Sequence, residues 1–207
     1  MIITNEIYEY DIEHAGLTMY FISNLITEEE YKKLLSLPKK QRIIKTGLLE
    51  KDNPDWYETK TTLFDKYIKQ FLKVNKIKSY QVNEIVLDAV WLSGVVPKTC
   101  VFDEHVVFRK KRHYNVLYIY EKRNIRFYLN TNTGEFDVRR GNLNKDSKLY
   151  RIFKNILQSY EYGNDVYEKL HKIRRKLKTN ESYYGTELVS SLKNSTLINA
   201  LIKEILK

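Results

Sequence analysis

The sequence is poor in residues that cross-link, bend or break a polypeptide chain. Its 207 residues include one cysteine, three prolines and seven glycines. The single cysteine, Cys100, excludes an intrachain disulfide and a metal site built from several cysteines. The scarcity of glycine and proline favours long helices and strands that are joined by few loops.

Long apolar runs and a secretion signal are also missing. No apolar run approaches the roughly 20 residues that a membrane-spanning helix needs. The N-terminus, from Met1 to Glu6, has neither a basic region nor a long apolar segment, which a signal peptide would require. We therefore expect a soluble protein without a membrane partner, located in the cytoplasm of a bacterium or of a phage-infected host cell.

The residues that are abundant indicate a folded, basic protein. Hydrophobic residues make up 43% of the chain and aromatic residues 13%, which is enough for a core. The formal net charge is +10, and a charge of this sign favours a nucleic acid or a nucleotide as the partner. The alternative is that the lysines only solvate helix faces, since the abundance of Lys, Ile, Asn and Tyr is typical of an AT-rich genome.

The hydrophobic pattern predicts an α+β fold. Ile7–Ile12 alternates like a strand, and Thr27 to Glu30 forms a capping box at the start of a helix. The predicted helices cover 15–25, 28–37, 39–50 and 55–73, and later 148–162, 165–178 and 187–206. The predicted strands cover 82–92, 101–108, 114–120, 125–129 and 135–139, with a hairpin turn at 132–134. The basic stretch 172–178 lies in one of the C-terminal helices.

This order of elements predicts two regions. Residues 1–145 would form a palm-like antiparallel sheet, at 80–140, with an inserted helical block at 14–74 that resembles fingers. Residues 146–207 would form a C-terminal helical tail.

Two carboxylates stand out because each interrupts an apolar β-run. Asp11 ends the first strand and Asp88 lies within Ile85–Leu92, where an unpaired charge would be costly. A hairpin turn beside Asp88 would bring it against Asp11, and two neighbouring carboxylates repel each other unless a cation such as Mg²⁺ binds between them. The alternative is a buried aspartate that caps a turn or pairs with a lysine.

Two groups of cations are candidate binding elements. Lys39, Arg42 and Lys45, here called the cation row, recur every three residues on a predicted helix and would suit a triphosphate. Arg109–Arg112, here called the basic segment, is predicted to separate two strands and is followed by His113 and Tyr114. Lys110, Lys111, Arg112 and Tyr114 would contact a nucleic-acid backbone. In both cases the alternative is a solvated charged surface.

Other kinds of site have little support in the sequence. The four histidines, at positions 14, 105, 113 and 171, are scattered and form no zinc-binding motif. No glycine-rich phosphate loop and no nucleophile elbow are present.

In chain order, the two aspartates and the two basic groups resemble the palm and fingers of family B DNA polymerases. That family has DxxSLYP after a strand, KxxxNSxYG on a fingers helix, DTDSV in a β-hairpin and a downstream KxY element. The counterparts here are Asp11–Leu17, Lys39–Gly47, Asp88–Trp91 and Lys110–Tyr114, and the resemblance covers about residues 6–130.

The sequence also departs from the family pattern. The tyrosine that screens the sugar is missing after Asp11, and the Asn-Ser pair of the fingers helix is Ile43–Ile44. Thr46 replaces the fingers tyrosine, and Val86 replaces the first aspartate of the hairpin. Because of these differences, we expect a reduced or diverged palm from a phage or a mobile element, and leave open whether it polymerises.

The resemblance implies a two-metal nucleotidyltransferase that acts on DNA or RNA. Asp11 and Asp88 would hold two Mg²⁺ ions, and the cation row would balance the charge of the triphosphate. Replication proteins would be further partners. Two other classes remain open: a non-catalytic nucleic-acid-binding or regulatory protein, and a protein-interaction factor such as a viral inhibitor of a host enzyme.

Overall fold

A computed structural model of the chain describes residues 1–141, 148–158 and 192–205, and it has the expected α+β character. The chain divides into two compact units. One unit contains Ile7–His113, and the other contains Met1–Glu6 together with Tyr114–Lys207. No helix in the described ranges combines the length and the apolar character that a bilayer span requires.

The unit of residues 7–113 contains four helices and most of the strands. The helices are α1 (Ala15–Ile22), α2 (Glu28–Leu35), α3 (Lys39–Asp52) and α4 (Trp56–Val74), close to their predicted bounds. The strands are β1 (Ile2–Ile12), β2 (Val82–Val86), β3 (Ala89–Ser93), β4 (Val101–Phe102) and β5 (Val106–Tyr120), of which β1 and β5 each contribute residues to both units. The predicted capping box opens α2, where the Thr27 side chain accepts from the Glu30 amide.

The strands of this unit lie in the order β2-β3-β1-β5, and β4 pairs with β5. Strands β1 and β3 are antiparallel, with Asp11 opposite Ala89 and Tyr10 opposite Val90. This register places Asp11 and Ala89 on one face of the sheet and Tyr10 and Val90 on the other, because side chains alternate along a strand.

The core of this unit covers the sheet face that carries Tyr10 and Val90. Both residues are buried, together with Tyr20 of α1 and Phe71 of α4. Helix α3 is different, because it has no buried residue. Its position near the sheet therefore leaves one side of the helix facing a cleft.

In its described residues, the other unit contains the rest of the antiparallel sheet and two helices. Its further elements are β6 (Ile125–Leu129), β7 (Phe136–Arg139), α5 (Lys148–Gln158) and α6 (Leu192–Ile205). Strand β6 pairs with β5 and β7. The predicted turn at 132–134 joins β6 to β7, and Gly134 supplies the positive φ of 68° that the turn needs.

The C-terminal predictions are only partly covered by the structure. Phe127 of β6 stacks on Phe153 of α5, and Leu201 of α6 is buried in the same cluster. The predicted helix at 165–178 and the basic stretch 172–178 lie outside the described residues.

Three of the predicted strand boundaries are wrong. The run 101–108 is divided by a turn at 103–105, between β4 and β5. The run 82–92 is divided by a turn at Leu87 and Asp88, where Leu87 has φ 52°. The basic segment Arg109–Arg112 and the following His113 do not separate two strands, since they lie in the middle of β5. Four successive cations lack the usual alternation of a strand, but the neighbouring strand β1 supplies carboxylates that pair with them.

Candidate functional site

A cleft of about 570 Å³ lies in the unit of residues 7–113. Its walls are the end of β1, the start of α1, one side of α3, the turn between β2 and β3, and the side chain of Arg109. The volume is within the range of roughly 300–1,000 Å³ that is usual for small-molecule sites. Asp11, Asp88, Lys39 and Arg42, all predicted from the sequence as site residues, line it.

The structure brings Asp11 and Asp88 together at the end of two adjacent strands. The amide of Ile12, the residue after Asp11, donates a 3.2 Å hydrogen bond to the carbonyl oxygen of Asp88. Asp11 lies opposite Ala89 in the register of β1 and β3, and Ala89 is the residue that follows Asp88. The hairpin turn between β2 and β3 thus places both carboxylates in the same cleft.

The Asp88 carboxyl group lies in an environment that disfavours its negative charge. Burial raises its pKa above the ordinary value, and the nearby Asp11 charge raises it further. The amide of Asp88 itself, Lys111 and Lys60 act in the opposite direction but are weaker than burial. In the described part of the chain, Asp88 has no cation within ion-pair distance, so a cation bound there would relieve this electrostatic cost.

Asp11 differs from Asp88 because it already has a cationic partner. The Lys111 ammonium donates to Asp11 Oδ2, and it also lies 3.8 Å from Glu9 Oε1. The Glu9 side chain is only 1% exposed, and Arg112 Nη1 lies 3.5 Å from its other oxygen. Glu9 therefore depends on two cations of the neighbouring strand.

The cation row divides between the cleft and the solvent. Lys39 and Arg42 line the cleft, whereas Lys45 does not. A step of three residues falls short of a full helical turn of 3.6 residues, so every third position moves progressively around the helix. Arg42 is half-buried and is anchored by a 3.1 Å hydrogen bond from Nη1 to the carbonyl oxygen of Leu35.

Sequence reasoning did not select three titratable residues of the cleft, which are Glu13, His14 and Glu50. Arg109, the first residue of the basic segment, also lines the cleft. Glu13 pairs with Arg109 over 2.7 Å, and Lys60 of α4 pairs with Glu50. The spacing of Glu9 and Asp11 in β1 and of Glu13 just after it was an available signal, because carboxylates at every second position of a strand share one face.

His14 adds a neutral imidazole to the cleft. The residue has φ 52°, a left-handed conformation between β1 and α1. Burial, followed by the charges of Arg42 and Arg109, lowers its pKa, and the adjacent Glu13 carboxylate only partly opposes this. His14 therefore contributes hydrogen-bonding groups to the cleft at neutral pH, and no net positive charge.

The basic segment has a different environment from the one that the sequence suggested. Lys111 and Arg112 are engaged by Asp11 and Glu9, and the Lys110 ammonium lies over the Tyr8 ring, 5.2 Å from its centre. Tyr114 is completely buried. The prediction that Tyr114 contacts a nucleic acid is therefore wrong in this structure, because the side chain does not reach the surface.

The chemistry of the two aspartates fits a magnesium ion. Among the described residues, no group of three or more acidic, histidine or cysteine side chains is arranged to hold a metal. Mg²⁺ commonly binds to one or two carboxylates and completes its shell with water and with phosphate oxygens of a substrate. Asp11 and Asp88 would therefore hold magnesium together with a phosphorylated ligand, and not in a cage made of protein alone.

Comparison with known proteins identifies a phage family. No match is found among curated proteins. The family described as Bacteriophage PBS1 gene 130 protein matches residues 1–186. This match agrees with the expected phage origin and gives no support for membership of a DNA polymerase family. Since the match covers most of the sequence, the chain belongs to the Bacteriophage PBS1 gene 130 protein family.

Proposed function

We propose that the cleft binds a nucleoside triphosphate with magnesium and transfers the nucleotide to a nucleic acid, as a reduced polymerase-like nucleotidyltransferase. The observation that carries the proposal is that two aspartates and two cations without a carboxylate partner in the described residues line one cleft, beside the paired side chains of Glu13, Arg109 and Glu50. Asp11 and Asp88 lie at its sheet end, and Lys39 and Arg42 project from α3. This is the set of charges that a magnesium–triphosphate complex requires.

Each side chain has a separate role in this proposal. Asp11 and Asp88 would hold magnesium, which when bound polarises the phosphate and lowers the pKa of an attacking hydroxyl. Lys39 and Arg42 would bind the phosphate oxygens and stabilise their charge as the leaving pyrophosphate forms. Arg42 is the better placed of the two, because its hydrogen bond to the Leu35 carbonyl holds the guanidinium at the cleft wall.

Thermal melting provides the first test. We expect Mg²⁺ and a nucleoside triphosphate to stabilise the protein together more than either does alone, by about 2.7 kcal/mol at a hundredfold excess over Kd. Asp88→Asn should abolish this joint stabilisation and magnesium-dependent nucleotide incorporation while the variant remains folded. Asp65→Asn is the matched control, because Asp65 is an exposed carboxylate on α4 that pairs with Lys69.

An unchanged response of Asp88→Asn, with full nucleotide incorporation, would exclude the proposed role of the site. Asp11→Asn should also weaken the joint stabilisation, since Asp11 lines the same cleft as Asp88. Loss in the Asp65→Asn control would instead indicate a general effect of removing negative charge.

A non-catalytic nucleic-acid-binding protein is the second candidate. The net charge of +10 favours it, but Lys111 and Arg112 are engaged by carboxylates of β1, and Arg109 is engaged by Glu13, which follows β1. Binding to DNA or RNA that weakens with added salt and does not respond to magnesium or nucleotide would support this candidate. The absence of both kinds of binding would favour a protein-interaction factor.

A further inference from the structure

The Lys111 ammonium lies among three carboxylates. It donates to Asp11 Oδ2, lies 3.8 Å from Glu9 Oε1, and acts electrostatically on Asp88. Its side chain is about half exposed, whereas Glu9 is almost fully buried. The ammonium group therefore supplies positive charge directly beside the cleft carboxylates.

The pairing of β1 with β5 explains why the cation is there. Glu13 pairs with Arg109, Asp11 with Lys111 and Glu9 with Arg112, so the ion pairs run in opposite sequence directions along two neighbouring strands. A buried carboxylate such as Glu9 is costly without a partner. The ladder therefore fixes Lys111 beside the carboxylate pair as part of the fold.

Charge counting limits what else can bind. Glu9, Asp11 and Asp88 carry three negative charges when ionised. Lys111 and Arg112 supply two positive charges close to Glu9 and Asp11. One divalent cation is enough to compensate the remaining negative charge. A second one would add two positive charges next to an ammonium group that is already hydrogen-bonded to Asp11, where like charges repel strongly.

We propose that the Lys111 ammonium takes the place of one of the two divalent cations expected of a polymerase-like site, so that the chain binds a single divalent cation beside Asp88. This inference rests on the proposed function and changes it from a two-metal to a one-metal site. The bound ion has Asp88, phosphate oxygens and water as its main ligands. Asp11 remains mainly with Lys111.

The experiment counts bound Mn²⁺ per chain by equilibrium dialysis and electron paramagnetic resonance, with inorganic tripolyphosphate present. The wild-type chain is expected to bind one Mn²⁺, and Lys111→Gln to bind one more than the wild type. Lys111→Arg restores a cation and should match the wild type. Lys110→Gln is the control, because the Lys110 ammonium lies over the Tyr8 ring.

The outcomes separate this inference from the proposed function. Two Mn²⁺ ions on the wild-type chain, or no gain in Lys111→Gln, would overturn the inference, while a wild-type chain with bound Mn²⁺ keeps the proposed function. A wild-type chain without Mn²⁺ would overturn the inference and remove magnesium from the proposed function, even if Lys111→Gln gained an ion. Absence of Mn²⁺ from every protein would overturn both.

Folding of the variant is followed by circular dichroism. Lys111→Gln leaves Glu9 and Asp11 with less positive charge and so lowers stability. If this variant is unfolded without metal, recovery of its melting transition on addition of Mn²⁺ supports the inference, because the metal then replaces the ammonium group. Failure of Mn²⁺ to restore folding overturns it.

Discussion

The cation row on α3 and the basic segment in β5 have similar composition but different surroundings. In the cation row, Lys39 and Arg42 line the cleft, and no carboxylate in the described part of the chain pairs with them. In the basic segment, Lys111 and Arg112 are within ion-pair distance of Asp11 and Glu9. Cations that are already paired stabilise the fold, whereas unpaired cations at a cleft remain available for a ligand.

The difference arises from the kind of element that carries the charges. A strand has a neighbour along its length, so the carboxylates at alternate positions of β1 meet the cations of β5. Helix α3 has no buried residue, and within the described ranges no carboxylate lies at ion-pair distance from Lys39 or Arg42. A positively charged stretch in the sequence therefore does not by itself indicate a surface for a polyanion.

The largest expected effect tests the structural role of the basic segment. Arg112→Met should lower the free energy of unfolding by about 3 kcal/mol, because Glu9 is buried and would lose one of the two cations that lie close to it. Lys45→Met, on the exposed part of the cation row, should change it by less than about 0.5 kcal/mol. Urea unfolding measures both, and equal losses would contradict the distinction between the two groups.

The second effect concerns the cation row itself. Arg42→Gln should weaken binding of tripolyphosphate about tenfold, since a charge-assisted hydrogen bond to phosphate contributes at least about 1.4 kcal/mol. Lys45→Gln should weaken it less than about twofold, because Lys45 does not line the cleft. Isothermal titration calorimetry separates the two variants. A loss in Lys45→Gln as large as that in Arg42→Gln would show that phosphate binds outside the cleft.

The third effect is on nucleic-acid binding. If single-stranded DNA binds, Lys110→Gln should lower the slope of log K against log salt by about one, because the Lys110 ammonium has no carboxylate partner among the described residues. Arg112→Met should leave the slope unchanged, since Arg112 is engaged by Glu9. Fluorescence anisotropy at several salt concentrations gives the slopes. A decrease with Arg112→Met would mean that the ion pairs open when DNA binds.

The smallest effect concerns Asp88. Neither the cation row nor the basic segment forms an ion pair with this carboxylate among the described residues. Burial raises its folded-state pKa above the ordinary value of 3.8, so the folded state holds the proton more tightly than the unfolded state. The free energy of unfolding should therefore fall as pH rises from about 3.8 through the folded-state pKa. Asp88→Asn should remove this fall in the free energy of unfolding. Urea titrations between about pH 3.5 and about pH 7 measure it, because this window brackets the unfolded-state and folded-state pKa values.

The exposed carboxylate Asp65 again provides the control for this measurement. Asp65→Asn should keep the wild-type fall in stability with rising pH, because it leaves Asp88 in place. A wild-type profile for Asp88→Asn would show that the carboxyl group is solvated in the folded protein.

Much of the fold could be predicted from local sequence patterns. Helical periodicity and the capping box at Thr27 placed α1 to α4 close to their observed bounds, and strand alternation located Ile7–Ile12 within β1. The approach of Asp11 to Asp88 also followed from the sequence, because a hairpin turn at Asp88 brings adjacent strands together. The helices, the capping box and the turn depend on residues that lie near one another in the chain, whereas the approach of Asp11 to Asp88 also requires the pairing of β1 with β3.

The basic segment could not be placed in the same way. Four consecutive cations look like a loop when only neighbours in sequence are considered, and the carboxylates that stabilise them as a strand are about a hundred residues away. The complete burial of Tyr114 likewise depends on packing partners such as Tyr128. The assignment of nucleic-acid contacts to this segment was made without that information.

The sequence by itself determined the α+β class, the helices, the positive charge and the two aspartates that meet at the end of β1 and the turn before β3. The tertiary structure decided which cations are available, because the pairing of β1 with β5 engages Lys111 and Arg112 but not Lys39 and Arg42. The physical reason is that helix and turn formation depends on nearby residues, whereas the energy of a charge depends on whichever groups the completed fold places around it.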